Sequence, residues 1–555
     1  MAEVSARISP AILFYSQYYE SGQQQLMGLR AASQSFLQGL IRHGGLETLY
    51  GYTAEARGRE AFEQLTRELG ATMPVRVIEP HRLDQVAELG SLILSSPNLW
   101  LLSAQRSFIG HHAYALTGVT HTTADNVAMA MLTALTGAPV QPWDALICTS
   151  RAVLAMVQEM LGAEEARLAE RLGATRFPRP MLPVIPLGID ADRFTPRPGW
   201  RAAWRERLGI APDDVAALYV GRLSQHSKAH PLPMFAALGR AARSQPRRLH
   251  LILAGWWLNP PEEERWRSQA AALCPEVLLH TLDGREAPVR QEIWSAADIF
   301  TLLVDNVQET FGLAPVEAMA AGLPVVATDW DGFRDTVRHG LDGMLVPTLM
   351  APPGEGREAS LRFATGQISY GAWLALAARL TAVDIAAAAE AIRALAADPQ
   401  LRRRMGEAGQ ARARRVFDWA TVIPQHQALW QEQRRLRRAA AASAPAGTPA
   451  PHPLHMDAHQ ACAAWPTALF GPGQRLRPDP AAPSCDLARL LAFTSPALPG
   501  ELGQDGIAAL LDELRRRGEA TAEELLQVLE PAQWGPGRRA LIWLLRVGLA
   551  ATGQS

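Results

Sequence analysis

A chain of 555 residues exceeds what one hydrophobic core supports, so several domains are expected. Its hydrophobic content of 48% is ordinary for a globular protein, and a net charge of −1 argues against a protein that coats nucleic acid. Cys148, Cys274, Cys462 and Cys485 are scattered with no pair at metal-ligand spacing, which excludes a disulfide framework and implies reduced thiols in a cytoplasmic protein. No basic stretch leads into an apolar core and cleavage site at the N-terminus, so no signal peptide is expected. No run reaches the ~18 apolar residues of a spanning helix.

Apolar strand-like runs alternate with helical patterns from the start, the pattern of βαβ units and parallel sheets. Strands are predicted at Ala11–Gln17, Leu46–Thr53, Pro74–Glu79, Leu99–Ser103, Leu116–His121, Ala145–Thr149 and Leu182–Leu187, with helices at Gln24–His43 and Ala54–Leu69. The turn-rich stretch Phe194-Thr195-Pro196-Arg197-Pro198-Gly199 reads as a hinge. A second series follows at Ala216–Gly221, Leu249–Ala254, Val277–Leu282, Ile299–Val304 and Pro324–Thr328. The fold class is therefore α/β: two parallel-sheet domains, with ligand expected in the cleft facing the carboxyl ends of their strands.

Ala351–Gln367, rich in Gly, Pro and Ala, reads as a loop, and helices then run to about Arg438. Arg402 to Arg438 holds ten arginines against Glu407, Asp418 and Glu432. That face suits peripheral contact with an anionic membrane or partner, although a solvated helix surface accounts for it more simply. Ala439–Pro453 is an Ala/Pro linker. Residues 454–555 read as a small helical appendage, with helical spacing at Ile507–Arg517, Ala522–Leu529 and Arg538–Leu549. Its helix order faintly resembles a winged helix, but no wing hairpin follows.

Of the 54 basic residues, 53 are arginine and one is lysine, Lys228. Arginine serves a solvated surface equally well, so a lone lysine marks a place for a compact point charge, such as a phosphate in a tight pocket. Lys228 follows the buried run Ala216–Val220 and the pair Gly221-Arg222. The other chemical signal is Glu309-Thr310-Phe311-Gly312-Leu313-Ala314-Pro315-Val316-Glu317. Pro315 suits a helix start, Gly322 a helix end, and Pro324 blocks continuation. Glu309 then lies in a loop after a strand and Glu317 in the first turn of the next helix. The amides of Phe311, Gly312 and Leu313 form an anion site at that helix N-terminus. Structural readings compete: dipole stabilisation for Glu317 and a solvated loop acid for Glu309. His111 and His112, neighbours without an Asp or Cys partner at metal spacing, read as ordinary polar residues.

Glu309 and Glu317, followed by Ala-Met-Ala-Ala-Gly-Leu-Pro-Val-Val, resemble the E-x7-E signature of family-four retaining glycosyltransferases, enzymes of the GT-B fold. Further segments resemble that family in the same order: Gly22 in the loop after the first strand, Thr117-Gly118-Val119-Thr120-His121-Thr122, Val184–Asp190, and Gly221-Arg222-Leu223 with Lys228. The resemblance covers roughly residues 8–438. It implies an acceptor-side domain over 1–196, a nucleotide-sugar domain with closing helices over 197–438, a linker over 439–453 and an unassigned appendage over 454–555.

The resemblance also implies roles. Arg222 and Lys228 would hold the diphosphate of a nucleotide sugar, with Gly22 facing its phosphates. Glu317 would bind the ribose, and Glu309 the donor sugar. Phe311, Gly312 and Leu313 would offer amides to sugar and phosphate, and His121 would lie at the reaction centre. The implied activity is hexosyl transfer from a nucleotide diphosphate sugar, without cofactor or metal, to an acceptor left open as glycan, lipid or small molecule. Fixed cations and amide dipoles suit the charge that builds on the departing diphosphate. Several positions depart from the family: Ala229 follows the lysine, Gly255-Trp256-Trp257 replaces Gly-x-Gly, and the first loop has one glycine. Asp331-Gly332-Phe333-Arg334-Asp335 replaces Gly-Gly-x-x-Glu. The alternatives are a GT-B sugar-nucleotide epimerase and a non-catalytic sugar-nucleotide-binding scaffold. A phosphorylase would need a pyridoxal-phosphate lysine, and the single lysine already stands in the phosphate role.

Overall fold

The computed structural model describes residues 7–19, 28–443, 450–493 and 500–553. The chain divides into two compact units, Met1–His455 and Met456–Ser555. In the first unit, short apolar runs form strands covered on both faces by helices. β1 (Ala11–Leu13), β2 (Leu49–Tyr52), β3 (Val75–Ile78), β4 (Ser91–Leu94), β5 (Ala115–Val119) and β6 (Ala145–Ile147) build a parallel sheet ordered β3-β2-β1-β4-β5-β6. β7 (Val215–Val220), β8 (Leu249–Gly255), β9 (Leu278–Asp283), β10 (Ile299–Leu302), β11 (Val325–Thr328) and β12 (Gly343–Val346) build a second, ordered β12-β11-β10-β7-β8-β9.

Counted within each domain, both sheets have the same strand order, 3-2-1-4-5-6. The order reverses between β1 and β4 in the first sheet and between β7 and β10 in the second. Loops leaving the two neighbouring strands at such a point diverge to opposite faces and open a crevice where ligands bind. These are the two Rossmann-like domains expected from the sequence.

Several elements differ from expectation. Leu99–Ser103 belongs to a helix, Leu99–Arg106, which buries Leu99, Leu102 and Ser103 at helical spacing. The fourth strand is instead Ser91–Leu94, and a twelfth, Gly343–Val346, also escaped the sequence reading. A five-residue apolar run fits helix or strand equally, because periodicity needs length to show. Leu182–Leu187 forms no strand; its stretch runs beside β6 through isolated bridges, Ala145 to Met181 and Cys148 to Val184. Within Ala351–Gln367, expected to be loop, Arg357–Ala364 is helical.

The helix Trp419–Ala442 does not close the second domain. Its Trp419, Val422, Ile423, Leu429 and Trp430 share a core with Leu37, Leu40, Leu49 and Phe62 of the first. Buried Gln433 accepts from the Thr117 hydroxyl (2.8 Å) and donates to the carbonyls of Leu116 (2.9 Å) and Trp143 (3.0 Å). Gln427 pairs with the amide and carbonyl of Ile8 at 3.0 and 2.9 Å. The chain therefore crosses between domains twice, and the crossings run side by side: Ile189 N donates to the Phe417 carbonyl and Trp419 N to the Ile189 carbonyl.

The second unit is not purely helical. β15 (Arg475–Pro478) pairs antiparallel with β16 (Ala520–Thr521) and β17 (Ala550–Thr552), against the helices Gln504–Arg517, Ala522–Leu526 and Trp534–Arg546. Thr521 and Glu524 form a reciprocal capping box. The third strand comes from before the helices, so the sheet closes without a C-terminal hairpin among the described residues. No described helix in either unit is long and apolar enough to cross a membrane. All four cysteines are free.

An ion pair secures the first sheet. Arg106 and Asp144 are fully buried, with guanidinium nitrogens 2.7 and 2.8 Å from the two carboxylate oxygens. The amides of Leu116 (2.9 Å) and Gln141 (2.7 Å) complete the Asp144 shell. Removing one partner leaves a buried charge unpaired, so Asp144→Ala should cost about 3–5 kcal/mol in urea unfolding. An apolar double replacement, Arg106→Met with Asp144→Leu, should cost clearly less; equal losses would show that the charges are not the cause.

Candidate active site

The loops at the two reversal points face one another across a cavity of about 710 Å³. His121, Arg222, Lys228, Glu309 and Glu317 line it together with the Phe311-Gly312-Leu313 turn. Eight of the nine residues singled out by sequence thus meet in one place, although they come from both domains. The ninth, Gly22, lies outside the described residues.

β7 delivers Arg222 and Lys228. The buried Tyr219 hydroxyl donates to the Arg222 carbonyl at 2.9 Å and fixes the turn. Gly221, at φ +147°, takes a backbone conformation that L side chains rarely adopt, and a Cβ there would stand 3.3 Å from Lys228 Cε. Asn306, after β10, donates to the Lys228 carbonyl at 2.5 Å. β10 also delivers Glu309, whose Oε2 accepts from Lys228 Nζ at 2.7 Å. Burial pushes the Glu309 carboxyl up, but the Lys228 charge and hydrogen bond and the amides of Thr310 and Phe311 outweigh it and hold it below the usual range.

The following helix is Leu313–Ala320, capped by Gly312 at φ +92°. A Cβ at Gly312 would strike the Phe333 ring at 2.3 Å. Because the helix begins at Leu313, Glu317 sits in its second turn, not the expected first. There it gains little from the helix dipole, and burial pushes its carboxyl up to about 7 against the pull of Arg193 and Lys228.

His121 follows β5 on the first domain, and its carbonyl accepts from Thr310 Oγ1 at 2.5 Å, tying it to the opposite wall. Burial pushes the imidazole down to about 4, so the ring is neutral near pH 7. Asp331, standing where a glycine was expected, is the one non-glycine at positive φ (+44°) among the described residues, a conformation aspartate tolerates better than most. Burial, with the nearby Glu309 charge, pushes its carboxyl up to about 8. A neutral Asp331 spares Glu309 a like charge.

Two further lining residues escaped the sequence reading. Asp125 caps the helix Asn126–Ala134 by accepting from the Ala128 amide at 2.7 Å. Tyr370 arrives on an insertion after β12, where β13 (Thr348–Met350) and β14 (Thr381–Val383) form an antiparallel ribbon carrying the helices Arg357–Ala364 and Tyr370–Ala378. Only the Ser369 N-cap signalled that helix in the sequence.

Residues 201–350 match the family described as Glycosyl transferases group 1. The match lies within the second α/β domain. Similar curated relatives are the D-inositol 3-phosphate glycosyltransferases of Geodermatophilus obscurus and Nocardia farcinica. The first is 40% identical over 191 residues and the second 36% over 190, each match covering 33% of this chain and 40% of the relative. The chain thus matches about two fifths of the length of those relatives. Among solved structures, Anabaena HepE in complex with UDP is 18% identical at TM-score 0.49, covering 77% of this chain and 100% of that one. Sucrose-phosphate synthase from Thermosynechococcus elongatus is 18% identical at TM-score 0.45, covering 79% and 100%. The matched span contains Arg222, Lys228, Glu309, Gly312 and Glu317, whereas His121 and Asp125 lie outside it.

The Glu317 carboxyl is raised to about 7 in the folded state from 4.5, so the folded state keeps a proton that the unfolded chain releases between those values. The stability this contributes is complete below pH 4.5 and lost as pH rises through 7. Glu317→Gln, always neutral, should match the native protein in Tm at about pH 5 and exceed it at about pH 8. A Tm difference that is the same at both values would contradict the raised carboxyl.

Proposed function

We propose that the chain is a retaining glycosyltransferase that moves a sugar from a nucleotide diphosphate sugar to an acceptor hydroxyl without a metal ion. The observation that carries this reading is the Lys228–Glu309 pair, 2.7 Å apart beside the N-terminus of the helix Leu313–Ala320. A cation, a carboxylate held below its usual range and the N-terminal turn of that helix converge on one cavity with Arg222. Diphosphate needs the cations and amides; sugar hydroxyls need the carboxylate. The match to Glycosyl transferases group 1 supports the same reaction class.

In this reading Arg222 and Lys228 stabilise the charge that develops as the sugar–diphosphate bond breaks. Lys228 is shared between Glu309 and the leaving phosphate, and Glu309 accepts from the sugar. The Glu317 carboxyl hydrogen-bonds the ribose, and neutral His121 hydrogen-bonds the sugar without supplying charge. The acceptor oxygen bonds to the sugar carbon on the face the diphosphate leaves, and its proton passes to a diphosphate oxygen. Retention of the anomeric configuration follows.

Lys228→Ala should weaken binding of UDP, GDP or ADP, whichever the protein takes, by about tenfold or more in calorimetry, since a charge-assisted hydrogen bond contributes about 1.5–3 kcal/mol. Unchanged affinity would remove Lys228 from the phosphate role. An α-linked donor should yield an α-linked product by NMR anomeric coupling, and turnover should persist in EDTA. A β-linked product would refute retention, and loss of turnover restored by Mg²⁺ or Mn²⁺ would refute metal independence.

A further inference from the structure

The two walls of the cavity differ in charge. The wall from the second domain carries two cations, Arg222 and Lys228, beside the carboxyls of Glu309 and Glu317. On the opposite wall, Ser96, Thr122, Asp125, Asn126, Val127 and Met131 line the cavity, and Asp125 is its one charged residue among the described residues. His121, on the same wall, is neutral near pH 7. If the donor occupies the cationic wall, as proposed above, the acceptor must approach from the other.

That wall has polar and apolar parts. Asp125 Oδ1 serves the helix cap, while Oδ2 has no hydrogen-bond donor among the described residues. Val127, 58% exposed, presents an apolar surface on this wall. Tyr370 lines the same cavity, close enough to both Asp125 and Arg222 to feel their charges, and its buried hydroxyl has no partner. An unsatisfied buried hydroxyl is costly and calls for a ligand group to pair it. Burial pushes the phenol up to about 12, so it remains an O–H donor at neutral pH.

We infer that the acceptor is an uncharged, hydroxyl-bearing molecule with an apolar part, held by Asp125 and Tyr370, and not a phosphorylated polyol. This rests on the donor placement in the reading above. Acceptor hydroxyls donate to Asp125 Oδ2 and accept from the Tyr370 hydroxyl, and Val127 and Met131 cover the apolar part. A phosphate on the acceptor meets the Asp125 charge with no cation on its own wall, and pays desolvation without a partner. The inferred acceptor differs from the one in the names of the D-inositol 3-phosphate glycosyltransferases.

The test uses the full chain, with the donor that is hydrolysed in a screen of UDP-, GDP- and ADP-glucose. Two acceptor pairs are compared by mass spectrometry: myo-inositol against inositol 3-phosphate, and octyl glucoside against glucose 6-phosphate. The uncharged members should be preferred in kcat/KM by about tenfold or more. Asp125→Asn keeps the helix cap and should narrow that preference about fivefold by removing the repulsion. Tyr370→Phe should raise KM for the uncharged acceptor while leaving nucleotide affinity unchanged. Transfer that favours the phosphorylated members, or a preference that Asp125→Asn does not alter, overturns the inference alone. A protein that binds none of the three nucleotides overturns the transfer reading and this inference with it.

Discussion

Lys228 and Glu309 lie 81 positions apart in the chain and 2.7 Å apart in the fold. Lys228 holds the Glu309 carboxyl ionised where burial alone pushes it toward neutrality, and neither residue reaches the other without the turn that presents its partner. That mutual dependence is made possible by β7 and β10 being hydrogen-bonded neighbours at the reversal of the strand order. The Gly221 turn admits the compact lysine stem, and Asn306 anchors its backbone from the neighbouring loop. An arginine fork has neither the same width nor the same hydration, which gives a physical reason for the single lysine of the chain to stand here.

Burial organises the surrounding charges around that pair. It raises the carboxyls of Glu317 and Asp331 and lowers the imidazole of His121, all away from their charged forms. With these groups pushed toward neutrality, the field at the cavity is set by Arg222, Lys228, Glu309 and Asp125 and by the amides at the N-terminus of the helix Leu313–Ala320. Such a field favours an anion beside a polar neutral group, the charge pattern of a sugar joined to a diphosphate.

The two walls are held by different devices. At the cavity, Thr310 bonds the His121 carbonyl, and elsewhere between the domains Arg151 pairs with Asp335 at 2.6 Å. Away from it, the helix Trp419–Ala442 returns to the first domain, with buried Gln427 and Gln433 satisfying backbone groups that apolar residues would leave unpaired. The insertion after β12 then adds Tyr370 to a cavity otherwise built from the strand-end loops.

Local sequence determined most strands, the α/β class and the residues of the loop from Glu309 to Glu317, because strand ends, proline and glycine act over a few residues. The lone lysine likewise carried its meaning in composition. Tertiary structure decided that Leu99–Arg106 is helical, since a short apolar run takes whichever conformation its surroundings bury. It also decided that Glu317 lies one turn into its helix, that the last long helix serves the first domain, and that Asp125 and Tyr370 face one cavity. Each of these depends on partners tens to hundreds of residues away, and no local periodicity encodes the partner.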